Sequence, residues 1–465
     1  MLETVAPASV EQINEVVRHL TGRVVASPLG VRQGYLKRVV GLLLEVEGLP
    51  QSIGAHACIK NPSAGTWIDA ECVGFQGETS FLMPFDPVSG LTPGAPVFPL
   101  NSPLLTDQGY GLRTGIASLP MGAALLGRVV DGLGRPLDGL GGAKWAETRA
   151  HADTPNPLKR TPISQPLDTG IRAINAMLTV GRGQRMGIFA GSGVGKSVLL
   201  GMLTRNCAAD VIVVALVGER SREVREFCED TLGDEARKRA VIVASPADSS
   251  PLARARGAEF ATDVAAYFRD QGQHVVLIVD SLTRYAMARR EIGLSLGEAP
   301  VQRGYPPSVF ARLPSLVERV GNGEHPEGSL TAFYTILLEG DDLSDPVSDA
   351  ARGVLDGHIY LSRELADSGH YPAIDIERSI SRVMPRVVDD VQLAAARRIK
   401  QLFSRHVRGR DMVAMGAYAP GSDAELDAAL RNWPEIQRFL RQSPAESVGL
   451  LESFDEARKL AERSG

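Results

Sequence analysis

The chain has 465 residues, 44% of them hydrophobic and 23% charged, with a net charge of −5. That is the balance of a globular protein with several domains and large cores, and it excludes a general electrostatic attraction to nucleic acid. Cys58, Cys72, Cys207 and Cys228 are scattered without metal-ligand spacing, and no run of about 18 apolar residues occurs, so disulfide frameworks, zinc sites and membrane-spanning helices are not expected.

In chain order, residues 9–20 repeat Val10, Ile13, Val17 and Leu20 at helical spacing, with Ser9 and Gln12 fitting a capping box. This predicts a short amphipathic helix, packed on its neighbour or docking a partner or lipid surface. Glu3 and the absence of a basic-then-apolar order argue against a secretory signal. From about 22 to 97, β-rich runs (38–47, 70–75, 80–84, 95–100) alternate with turn residues, which predicts a small β-barrel. Residues 126–138 read as a hairpin turning at Asp131-Gly132, followed by a Pro-, Thr- and Ala-rich connector over 146–166.

From 180 to about 380, apolar strands alternate with amphipathic helices. Strands are predicted at 186–190, 211–217, 240–244, 275–279 and 331–337, the pattern of a mostly parallel sheet covered by helices on both faces. From about 385 the pattern is helical: 387–406, 423–442 and 444–464.

The chemistry concentrates in one stretch, Ala190, Gly191, Ser192, Gly193, Val194, Gly195, Lys196, Ser197 and Val198, all expected around a bound nucleotide. Gly191, Gly193 and Gly195 let backbone N–H groups turn inward around an anion, and the helix that follows adds the positive end of its dipole. The pattern predicts a nucleoside triphosphate, with Lys196 reaching the β/γ-phosphates and the Ser197 hydroxyl on Mg²⁺. Ala190, where the first glycine often stands, is the one departure. Strand 275–280 ends in Asp280, which in a parallel sheet faces the ligand crevice beside Mg²⁺. Strand 211–217 delivers Glu219 and Arg220 to the same edge. Hydrolysis needs a carboxylate to orient and polarise water in line with the γ-phosphate, and Glu219 is the candidate.

Gly191–Ser197, 218–223 (GERSRE), 280–289 (DSLTRYAMAR), 339–342 (EGDD), 355–359 (LDGHI), 370–375 (HYPAID) and 379–384 (SISRVM) occur in this order. Together they resemble the ATPase of type III protein export, itself similar to the catalytic β subunit of rotary ATP synthases, over residues 22–440. Residues 304–311 (GYPPSVFA) and 272–281 are similar to the flagellar branch, with the injectisome ATPases as close relatives.

The resemblance implies a RecA-like P-loop α/β core over 100–382, a β-barrel assembly domain over 22–99, a helical domain over 383–465, and an N-terminal docking segment over 1–21. It implies ATP with Mg²⁺, Arg220 and Arg284 near the γ-phosphate, Tyr371 stacked on adenine, and Arg382 as a finger offered to a neighbouring subunit. Such a finger is worth roughly 10³–10⁵ in rate in well-studied phosphoryl-transfer enzymes. With the Glu219 and Arg382 halves on one chain, identical copies can close a homohexamer with six sites.

The implied partners are a stator-like regulator, a central stalk, an export-gate membrane protein and chaperone–substrate complexes, at the cytoplasmic face of the inner membrane. A rotary synthase subunit is disfavoured because no acidic Asp-Glu-Leu-Ser-Glu-Glu-Asp-like run occurs in the helical end. An RNA translocase would need a basic, aromatic-bearing barrel, and residues 30–97 lack one. A non-hydrolysing sensor would not need Glu219. Residues 299–303 (APVQR) stand where a double proline is expected, and the segment after about 442 carries no motif.

Overall fold

The computed structural model describes residues 32–100, 119–141, 147–149, 155–324, 328–342 and 344–463. The helix expected at 9–20 lies outside them. The chain divides into two compact units, 1–115 and 116–465.

The first unit is a closed six-stranded barrel: β1 (Gly34–Val40), β2 (Leu43–Glu47), β3 (His56–Lys60), β4 (Trp67–Gln76), β5 (Thr79–Pro84) and β6 (Pro96–Pro99) in the order β1-β2-β5-β4-β3-β6. Closure removes the exposed strand edges that an open sheet would carry. The interior holds Leu36, Leu44, Val46, Ile59, Ile68, Leu82 and Val97, all nearly inaccessible. The single run expected at 38–47 is two strands, because Gly41 takes φ 58° and turns the chain between them. Strand β3 is too short and too mixed in polarity to stand out locally. It is held by pairing with β4 and β6.

The second unit is built on an eight-stranded sheet. After β7 (Leu119–Met121), which pairs with β9 (Glu147–Arg149), come β8 (Val129–Val130), β10 (Arg185–Ala190), β11 (Val211–Val217), β12 (Ala240–Ser245), β13 (His274–Asp280), β14 (Ser329–Leu337), β15 (Gly357–Leu361) and β16 (Ile374–Ser381). The order is β16-β15-β10-β14-β13-β11-β12-β8, parallel except for the β15–β16 pair. Residues 126–138 do fold back, with Val130 bridging Pro136, but Val129–Val130 also adds an edge strand to β12. The left-handed turn residue there is Gly134, and the Asp131 carboxylate accepts from the Leu133 and Arg135 N–H groups.

Every residue of β11 is buried, as is expected of a strand covered on both faces. Ile212, Val214 and Leu216 pack in one cluster with Leu199, Leu203, Phe403 and Phe439. Helix Pro251–Asp270 packs against β11, β12 and β13. Each fully buried Val, Leu or Ile contributes roughly 1.5–3 kcal/mol, and this sandwich fixes which strand ends meet at the loop edge.

The three final helices, Asp390–Ala414, Ala424–Leu440 and Leu450–Arg463, share that core through Ile399, Leu402, Ile436 and Ala457, so packing is continuous across the 382/383 boundary. The segment after 442 has a structural place. Gln442 exchanges hydrogen bonds with the Arg172 N–H (2.8 Å) and the Gly170 carbonyl (2.8 Å), and the Asp168 carboxylate accepts from the Leu450 N–H (2.9 Å).

Candidate active site

At the carboxyl end of β10 the chain turns through Gly191–Gly195 into helix Lys196–Asn206. Gly193 takes φ 77° and Gly195 φ 90°, both left-handed, so the turn requires glycine. A Cβ on Gly195 would stand 3.3 Å from the Tyr371 ring, which places that ring against the phosphate-binding loop. The loop is also held from β15's side by Arg363, which donates to the Ser192 carbonyl (3.2 Å). No local feature of the sequence marked Arg363 for this role.

The other two residues of the turn part company. Ser192 is exposed at its tip. Val194 turns its side chain away from the loop's mouth: it is 1% exposed and lies in the core cluster with Ile188, Leu199 and Leu361. An apolar side chain in a polar loop gains by turning into the core, so Val194 anchors the loop from beneath and has only its backbone N–H to offer an anion.

Lys196 is the centre of the site. Its Nζ donates to Asp280 Oδ1 at 2.5 Å and to Glu219 Oε1 at 3.4 Å. The three side chains come from three elements: the helix after β10, the end of β13, and the turn after β11. The parallel register brings them together, because β13 lies between β14 and β11 and all three end at one edge. Burial disfavours the Lys196 charge, but Asp280 and Glu219 outweigh it and raise its pKa.

Glu219 is 9% exposed, and burial pushes its carboxyl up to about 7 against the pull of Lys196, with Asp280 and Glu223 adding to the rise. It follows Gly218, whose φ of 69° lies in the left-handed region that favours glycine. A Cβ there would also meet Arg284 at 3.1 Å. Asp280 Oδ1 accepts a second bond from the Thr335 hydroxyl at 2.7 Å.

Arg284 lies on helix Leu282–Ser295, capped by the Ser281 hydroxyl. That helix is tied down one turn later. Arg289 pairs with the buried Glu259, which also accepts from Tyr285 (3.1 Å) and from Arg256 (2.8 Å). Burial alone would raise the Glu259 carboxyl, but Arg289 and Arg256 hold it down at about 2. The Arg284 Nε, beside Gly218, is buried and has no hydrogen-bond partner among the described residues. A guanidinium nitrogen left so is suited to an arriving anion. With the inward-turned loop, the exposed Ser197 and the two carboxylates, the donor set fits a nucleoside triphosphate with a divalent cation.

The remaining candidates flank this cluster or lie beyond it. Arg220 caps helix Ser221–Glu226 with its side chain in solvent, 3.9 Å from Glu223. Ala190 is the last residue of β10 and fully buried, and Val198 is half-exposed in the first turn of the helix. Tyr371 borders a cleft of about 740 Å³ shared with Arg172, Pro434, Gln437, Arg438 and Gln442. Arg382 is exposed, and its guanidinium donates to the Leu355 and Arg352 carbonyls, each at 3.3 Å. It follows Ser381, which pairs with Gly357 at the start of β15, whereas the phosphate-binding loop lies at the other end of that register. A strand's length, roughly 15 Å, separates the two ends. In the 299–303 segment Val301 is exposed, and Arg303, at φ 47°, pairs with Asp342 at 3.2 Å.

The nucleotide-binding domain model of the ATP synthase alpha/beta family matches residues 170–381, and that family's β-barrel domain model matches residues 36–101. The T3SS EscN ATPase C-terminal domain model matches 388–458. The flagellum-specific ATP synthases of Pseudomonas aeruginosa and Salmonella typhimurium are 56% and 57% identical to this chain, each alignment covering 91% of it and 92% of the relative. The chain belongs to the ATP synthase alpha/beta family, in its flagellar and type III secretion branch. The type 3 secretion system ATPase of Xanthomonas euvesicatoria, in the same branch, is 45% identical over 91% of the chain and 93% of its own length. The assembled ATPase EscN of enteropathogenic E. coli superposes with a TM-score of 0.84 at 41% identity, covering 92% of this chain and all of that one. As a member of this family the chain is a nucleotide-binding ATPase, and its barrel, α/β core and helical end are the family's three parts. Among the described residues, no helix is long and apolar enough to cross a membrane.

Proposed function

We propose that the chain hydrolyses ATP to energise flagellar protein export by the type III route, as one subunit of a homohexameric ring. The observation that carries the hydrolytic reading is the buried Lys196–Glu219–Asp280 cluster, with the Glu219 carboxyl held near 7. A general base works best when its pKa lies near the working pH. In this reading Lys196 leaves the two carboxylates for the β/γ-phosphates. Glu219, no longer neutralised, accepts a proton from the attacking water at its Oε atoms. Arg284 donates to the γ-phosphate, and Arg220 swings in from its exposed position. Tyr371 covers the adenine at the mouth of its cleft. The Ser197 hydroxyl and Asp280 would hold Mg²⁺, which when bound neutralises charge across the β- and γ-phosphates.

Arg382 lies too far from its own phosphate-binding loop to take part there. The same residue on the next copy of the ring supplies the finger, and this makes the active site a shared one. EscN is known in complex with its central stalk EscO. An equivalent stalk, a regulator, an export gate and chaperone-bound substrates are the partners of this reading, with the ring at the cytoplasmic face of the inner membrane. The flagellar assignment is supported by identities of 56% and 57% to flagellum-specific relatives. Expressing the chain in a bacterium lacking its own flagellum-specific ATPase should restore swimming. Restored effector secretion through an injectisome without restored swimming would assign it to the other system. Specific ATPase activity should rise steeply with protein concentration, and full activity in a dilute monomer would exclude the ring.

A further inference from the structure

Asp280 Oδ1 accepts two hydrogen bonds, from Lys196 at 2.5 Å and from Thr335 at 2.7 Å. The two donors have different prospects. Lys196 lies on the loop that receives phosphate, so a bound nucleotide competes for it. Thr335 is wholly buried in β14, paired to Ile188 of β10 on one side, and it cannot follow the ligand. Its hydroxyl also lies 3.3 Å from the Val279 carbonyl, but its single hydrogen favours the shorter contact to a charged acceptor. Neither side chain is free to turn away: Asp280 is 5% exposed and Thr335 0%.

We propose that Thr335 is a positioning residue. It is the partner Asp280 keeps when Lys196 departs, and it fixes the carboxylate's plane so that the second oxygen faces the cation side of the site. This rests on the reading of Asp280 as the metal-side carboxylate. Outer partners that orient a metal-side ligand typically carry about 10–100-fold in metal affinity. Thr335 takes no part in bonding nucleotide itself, so its contribution should appear only when the cation is present.

The test is the ratio of ADP dissociation constants without and with Mg²⁺, measured by calorimetry on the full chain. Thr335→Val should lower that ratio about tenfold while leaving Mg²⁺-free ADP binding unchanged. Thr335→Ser, which keeps the hydroxyl, should restore the ratio. Thr335→Ala, which removes the hydroxyl without adding a methyl to the packed strand, must behave as Thr335→Val does. A purely structural role would weaken binding equally with and without Mg²⁺, and that result overturns the proposal. Asp280→Asn separates the two levels. If it leaves the ratio intact, the assignment of Asp280 is wrong. If it abolishes the ratio while Thr335→Val does not, only the role of Thr335 fails.

Discussion

Replacing Glu219 with Gln tests whether the raised carboxyl is the catalytic base. The amide keeps the shape and occupies the same buried turn, but it cannot take a proton from water. Loss of a positioned general base costs roughly 10²–10⁴ in rate, while Lys196, Ser197 and Tyr371 are untouched, so ATP binding should stay nearly intact. The same substitution has a stability consequence of opposite sign. The Glu219 carboxyl is held up from 4.5 to about 7, chiefly by burial, so the folded chain retains a proton that the unfolded chain releases between those values. Stability therefore falls as pH rises across that window. The shift corresponds to about 3 kcal/mol against the charged form above pH 7, and Gln carries no such cost. In nucleotide-free protein, Glu219→Gln should melt at or above the native temperature at pH 8, with the difference shrinking toward pH 5. Phosphate release measured at saturating ATP gives the catalytic half of the test. Hydrolysis at the native rate, or a variant less stable than native at pH 8, refutes the reasoning.

Three other outcomes follow from the same geometry. Lys196→Ala leaves Asp280 and Glu219 facing each other without their cation, so it should abolish ATP binding. Removing one partner of a buried charge set costs about 3–5 kcal/mol, and that loss should be larger at pH 8 than at pH 5, as thermal melting will show. Gly195→Ala adds a side chain at φ 90° against the Tyr371 ring, which strains the loop by roughly 1–2 kcal/mol. Fluorescence titration should show lost ATP affinity, whereas Tyr371→Phe binds as the native chain does and Tyr371→Ala about tenfold more weakly. Arg382→Ala should bind nucleotide normally yet lose roughly 10³-fold or more in turnover.

The candidate site was legible in the sequence where chemistry and local backbone coincide. Gly193 and Gly195 announce a left-handed turn that favours glycine, β13 is an apolar run ending in Asp280, and β11 is an apolar run with Glu219 in the turn just after it. The sheet's five central strands were readable for the same reason, since each is buried on both faces. What was not readable depends on contacts between distant segments. Thr335 is an ordinary strand threonine until β14 is laid beside β13. Val194 looks like one more loop position until the core beneath it is assembled. Arg363 and Tyr371 reach the loop only because β15 and the turn before β16 return to it. The hydrogen bonds that Gln442 makes to Gly170 and Arg172 give the motif-free end a role no local pattern expresses. Arg382 was expected by resemblance alone, and the β15–β16 register sets it at the end away from its own loop.

The most direct test of a shared site is to mix two inactive variants. Glu219→Gln and Arg382→Ala, each purified alone, should hydrolyse ATP at background rates. Combined in equal amounts and allowed to reassemble, about a quarter of the interfaces in a closed ring pair an intact Glu219 with an intact Arg382. Activity should return to about that fraction of native. A mixture that stays as inactive as its components would contradict the account, because it would mean that no active site is completed by a second chain.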